Sequence, residues 1–121
     1  MKSKYCIFTL LILLCGCSGF FPDPPTIERT NEMYKSIEVK LQLEHKGSAP
    51  PVIMTENTNR LVVDGNGIPV VELERNYTTG ELAHELCHAV QWNHGLPFEE
   101  STCRVMDVAF TWRRPVWPQY R

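Results

Sequence analysis

The stretch from Thr78 to His94 constrains this chain more than any other part of it. Thr78-Thr79-Gly80-Glu81 fits a capping box, in which the threonine hydroxyl and the glutamate carboxylate satisfy free amides at a helix start. The spacing predicts a helix from there to about Trp92. With His84 as origin and roughly 100° per residue, Glu81, Glu85, His88, Gln91 and Trp92 fall on one half of the helix, and Leu82, Ala83, Leu86, Ala89 and Val90 on the other. A helix divided in this way needs a second layer on which to bury its apolar half.

The preceding residues supply candidates for that layer. Leu61 to Val63, Asp64-Gly65-Asn66-Gly67 and Ile68 to Leu73 read as a hairpin, because Asp-Gly and Asn-Gly pairs favour tight turns. Val52 to Met54 is a short strand candidate. Ile37, Val39, Leu41 and Leu43 alternate with polar residues at the period of a half-buried strand, and Glu28 to Lys35 suits a short helix. Downstream, Asn93, Gly95 and Pro97 break the chain before a second helix expected over Phe98 to Trp112, which Pro115 and Pro118 follow. The expected class is α+β: a small, mainly antiparallel sheet packed on the Thr78–Trp92 helix, with a C-terminal helix beside it. With 121 residues, 43% hydrophobic and 21% charged, the chain has room for one core and is neither a disordered nor a multi-span membrane composition.

The N-terminus departs from that average. Lys2 and Lys4 precede an almost unbroken apolar run from Tyr5 to Cys15, which is about half the ~20 residues of a membrane-spanning helix and reads as a secretion signal. Leu14-Cys15-Gly16-Cys17 resembles the lipobox of bacterial lipoproteins. That resemblance implies cleavage after residue 16, lipidation of Cys17, and attachment to the cell envelope, on the periplasmic side of the outer membrane if the host is Gram-negative. Residues 17–26, with Pro22, Pro24 and Pro25, then form a tether, and 27–121 the folded domain. The whole chain has 12 basic and 14 acidic residues. Cleavage removes Lys2 and Lys4 and no acid, so the mature protein carries a net charge of −4 and nothing that recruits nucleic acid.

His84-Glu85-Leu86-Cys87-His88 is an HExxH pattern. Residues four apart lie one turn apart on one helix face, so two imidazoles can share one metal ion. Glu85, about 100° round from His84, is placed to act on a water held there, not to bind the metal. A catalytic zinc site usually has three protein ligands, so a third must come from downstream. His84 to His94 (HELCHAVQWNH) resembles the HExxHxxGxxH of the metzincin clan, with Gln91 where the glycine belongs, and the turn that glycine provides could fall at Asn93 instead. His94-Gly95-Leu96-Pro97-Phe98 also resembles the His-Gly-x-x-Phe of small SprT-like domains. Both resemblances imply His94 as third ligand. In the gluzincins a glutamate of the next helix takes that place, for which Glu99 or Glu100 is available. Glu99 shares a face with Cys103, Met106 and Phe110, whereas Glu100 points away from it. Acids there also suit a helix's first turn.

These resemblances imply a zincin-like metallopeptidase holding one Zn²⁺, with Glu85 as general base and a peptide as substrate, added to an edge strand near Ile68 to Leu73. The alternative is an envelope lipoprotein that binds metal or a partner without turnover. With Cys6 and Cys15 lost and Cys17 lipidated, Cys87 and Cys103 remain as a disulfide candidate in neighbouring helices. His45 reads as a surface histidine. Tyr77, Arg104 and Tyr120 are equal candidates to stabilise an oxyanion.

Overall fold

The computed structural model describes residues 24–113. The signal segment, Cys17, most of the tether and the residues after Arg113, Tyr120 among them, lie outside these. The order is α1 (Ile27–Lys40), β1 (Val52–Thr55), β2 (Arg60–Val63), β3 (Pro69–Glu74), α2 (Thr79–Asn93) and α3 (Glu100–Arg113). This is the expected α+β class. No helix among the described residues is long and apolar enough to cross a membrane.

Two local expectations are corrected. The alternating stretch from Ile37 is not a strand, because α1 runs through it to Lys40. Met33, Tyr34, Ile37 and Glu38 lie buried at helical spacing, while Val39 is 74% exposed. The period of two was a coincidence of residue types on a helix that starts at a Thr26 cap, whose hydroxyl accepts from the Arg29 amide. The sheet is mixed, not mainly antiparallel, with strand order β1-β3-β2. β3 pairs parallel with β1 and antiparallel with β2. The segment containing Ile68 to Leu73 is therefore central, and the edges are β1 and β2.

The hairpin forms where the Asp-Gly-Asn-Gly run places it. Leu61 faces Val71 and Val62 faces Val70, and Asp64 Oδ1 accepts from the amides of Asn66 and Ile68. Residues 56–59 carry the chain from β1 across the end of β3 to β2. Asn59 fastens that crossing, its Oδ1 accepting from the Glu74 amide at 2.7 Å and its Nδ2 donating to Glu81 at 2.9 Å.

The Thr78 capping box is present, and α2 is the central element, packed by α1, α3, β2 and β3. Its apolar half, Leu82, Ala83, Leu86, Ala89 and Val90, is buried with Val71 and Leu73 of the sheet, Met33, Tyr34 and Ile37 of α1, and Met106 and Phe110 of α3. The helices α2 and α3 form a hairpin closed by a Cys87–Cys103 disulfide, Cα atoms 5.4 Å apart. At the far end of the hairpin Gly80 presses on α3: a Cβ there would meet the Thr111 hydroxyl, the Asp107 carboxylate and, at 2.6 Å, the Asp107 carbonyl.

Candidate metal centre

The site stands where α2 and the start of α3 face each other beside β2. His84 and His88 come from successive turns of α2, ring centroids 5.1 Å apart. Glu100, the first residue of α3, lies across from both, with Oε2 3.1 Å from His84 Nε2 and Oε1 2.8 Å from His88 Nε2. These three are the residues among those described whose donor atoms lie close enough together to hold a metal ion. Asn59, Arg60, Leu61, Glu85 and Phe98 complete a cleft of about 320 Å³ around them.

One atom tests whether the arrangement suits a cation. His88 is 4% exposed, and its Nε2, despite lying near Glu100, is not aligned for a hydrogen bond and has no hydrogen-bond partner. A buried polar atom without a partner is costly. A cation shared with Glu100 and His84 removes that cost, so the donor set fits a metal.

Comparison of the chain with protein-family models, curated proteins and solved structures found no match. The site must therefore be understood from its own geometry.

His94 is not part of the group, a correction to the expected third ligand. The helix does not turn at Gln91 or at Asn93. It ends at a His94 cap followed by Gly95 at φ 67°, with Leu96 N–H donating to Gln91 O and Gly95 N–H to Trp92 O. This is a Schellman ending with glycine in the left-handed position. Carried on to that point, His94 lies roughly 240° round from His88 and reaches back to α1, its Nε2 2.7 Å from Glu38 Oε2. Glu38 also takes the ring of His45 and the Lys46 amide. Burial raises its pKa, but the hydrogen bonds from His45, His94 and Lys46 outweigh that and leave the carboxyl below its ordinary value.

The order of preference between the two glutamates is also reversed. The helix α3 begins two residues later than the expected Phe98, so Glu99 becomes its cap: its carbonyl accepts from Cys103 N–H and its carboxylate from the Thr102 hydroxyl. Glu100 is the acid that faces α2. Burial pushes its carboxyl up, yet the charges of His88 and His84 prevail and hold it below the usual carboxylate range.

Glu85 is 7% exposed and borders the cleft. Burial pushes its carboxyl up, against the pull of His84, His88 and a hydrogen bond from the Leu61 backbone, with Glu100 adding to the rise. A buried carboxyl bordering the cleft beside the two imidazoles is placed to exchange a proton with a group held there.

Three further residues of the site carried no functional assignment in the sequence. Gln91 Oε1 lies 2.9 Å from His88 Nδ1. Asp107 Oδ2 lies 3.9 Å from His84 Nδ1. Phe98 stacks on the His88 ring at 4.9 Å. Asp107 follows Glu100 by seven residues, two turns of one face, a signal visible only once the start of α3 is fixed.

Proposed function

We propose that this chain is a zinc-dependent peptidase of zincin-like fold, held in the bacterial cell envelope by a lipid on Cys17. The observation that carries the reading is the convergence of His84, His88 and Glu100, from two helices, with Glu85 buried beside them. Two imidazoles and one carboxylate form a familiar catalytic zinc donor set, leaving a position open. Neighbouring ligand atoms of a tetrahedral site with ~2.0 Å bonds stand about 3.3 Å apart, close to the 3.1 and 2.8 Å separating Glu100 from the two rings.

A zinc ion held by His84, His88 and Glu100 would supply Lewis-acid polarisation of an amide carbonyl and acidify water. Glu85 takes the proton of the attacking water on its carboxylate and delivers it to the leaving amine nitrogen. Phe98 covers one face of the His88 ring and keeps water from it. The edge strand β2 borders the cleft through Arg60 and Leu61, so an extended substrate adds there by backbone hydrogen bonds, and not at β3, which both neighbours already cover.

The test is hydrolysis of a peptide library by the zinc-loaded protein beside Glu85→Gln. The expected result is a kcat about 10² to 10⁴ lower, the usual contribution of a general base, with zinc content unchanged. Turnover equal to wild type in Glu85→Gln, or none in zinc-loaded wild type, overturns the enzymatic reading.

A further inference from the structure

We infer that Gln91 is a positioning residue that sets which ring nitrogen of His88 faces the metal, and that it ties this choice to the segment delivering Glu100. The inference rests on the metal-site reading above for its consequence, but its structural part stands on hydrogen-bond direction alone.

Gln91 is 3% exposed, and both ends of its amide are engaged. One end lies 3.3 Å from the Glu99 N–H and the other 3.3 Å from the Glu99 carbonyl. A backbone N–H only donates and a backbone carbonyl only accepts, so the amide can be seated one way round: Oε1 towards Glu99 N–H, Nε2 towards Glu99 O. The same Oε1 lies 2.9 Å from His88 Nδ1. An amide oxygen cannot donate, so Nδ1 must carry the proton. The remaining neighbour of Nδ1, Cys103 Sγ at 3.6 Å, is bonded to Cys87 and has no proton to offer.

With the proton on Nδ1, neutral His88 presents a bare lone pair at Nε2. That is the atom without a hydrogen-bond partner, facing a Glu100 oxygen that is itself an acceptor. Two acceptors face each other there, and a positive charge between them, a second ring proton or a metal ion, resolves the conflict. The chain of cause runs from the backbone of Glu99, through one side-chain amide, to the lone pair that meets the metal. Because Glu99 immediately precedes Glu100, the same amide fixes where the third ligand begins.

The test uses the metal-free full-length protein at a pH alkaline enough to leave the ring neutral, with ¹⁵N shifts of His88 reporting its tautomer, followed by zinc titration. Wild type is expected as the Nδ1–H form. Gln91→Met, similar in volume but unable to accept, is expected to lose that preference and to bind zinc about 10- to 100-fold more weakly, the range typical of lost outer-shell partners. Gln91→Glu still accepts from His88 Nδ1–H while losing the donation to Glu99 O, so it is expected to keep the tautomer and recover most of the affinity. A wild-type ring protonated on Nε2, a Gln91→Met ring still protonated on Nδ1, or equal zinc loss in both variants overturns the inference. Wild type that takes up no zinc refutes the metal reading instead, and the tautomer measurement then decides this one alone.

Discussion

The residues of this site divide by what each backbone position permits. Glu100 and Glu99 are adjacent and chemically identical, yet one caps α3 and the other faces two histidines. Glu100→Ala is accordingly expected to weaken zinc binding by more than the ~100-fold that outer-shell losses reach, while Glu99→Ala and His94→Ala leave it essentially unchanged. Isothermal titration of the three variants checks this. An equal loss on His94→Ala would restore the arrangement suggested by the metzincin-like spacing. The Glu38 carboxylate, 1% exposed, has a structural task and a pH signature. Its folded-state pKa is lowered by His45, His94 and Lys46 against the cost of burial. A depressed carboxylate stabilises the fold above its unfolded value, and that contribution is lost as pH falls through the folded one. Acid unfolding of Glu38→Gln is thus expected to show a shallower loss of stability below pH ~4 than wild type, read from denaturant midpoints across pH.

At the scale of elements, the two Schellman endings make a matched pair. Gly95 closes α2 at φ 67° and Gln42 closes α1 at φ 60°, the latter with Leu43 N–H donating to Glu38 O and Gln42 N–H to Val39 O. A side chain in the left-handed region costs roughly 1 kcal/mol, so Gln42→Gly is expected to stabilise the fold by up to about that amount, measured by urea unfolding. Gly80 behaves oppositely. Even the Cβ of Gly80→Ala collides with the Asp107 carbonyl and Thr111, and forcing α2 and α3 apart is expected to cost about 1–3 kcal/mol. What the sequence made legible follows local chemistry: the capping box, the Asp-Gly-Asn-Gly hairpin and the HExxH face are each specified within a few residues, and the cysteine pair, sixteen residues apart, follows from two neighbouring helices joined by a short break. What it hid depends on where an element starts or stops. Period-two residues from Ile37 lie within a helix whose register comes from Met33 and Tyr34, and a start of α3 two residues later exchanges the roles of Glu99 and Glu100. The parallel pairing of β1 with β3 is set by a crossing held through Asn59, a long-range contact with no local pattern.

For the molecule as a whole, one hairpin of helices carries both the stability and the proposed chemistry. Glu100 of α3 and Phe98 before it border the cleft opposite the two histidines of α2. Glu85, His88 and Gln91 are all buried. The Cys87–Cys103 bond joins the helix bearing the two histidines to the helix bearing Glu100. Closing a loop of about fifteen residues is worth roughly 3 kcal/mol in the chain-entropy model, and reduction is expected to lower stability by about that much and to weaken metal binding along with it. The central claim is that His84, His88 and Glu100 together hold one divalent ion. Its most direct test is metal analysis and X-ray absorption on purified protein loaded with zinc: one zinc per chain with two imidazole nitrogens and a carboxylate oxygen in its shell is the predicted result. Zinc-free protein that refuses the metal, or a shell still containing the same carboxylate ligand after Glu100→Ala, would contradict it.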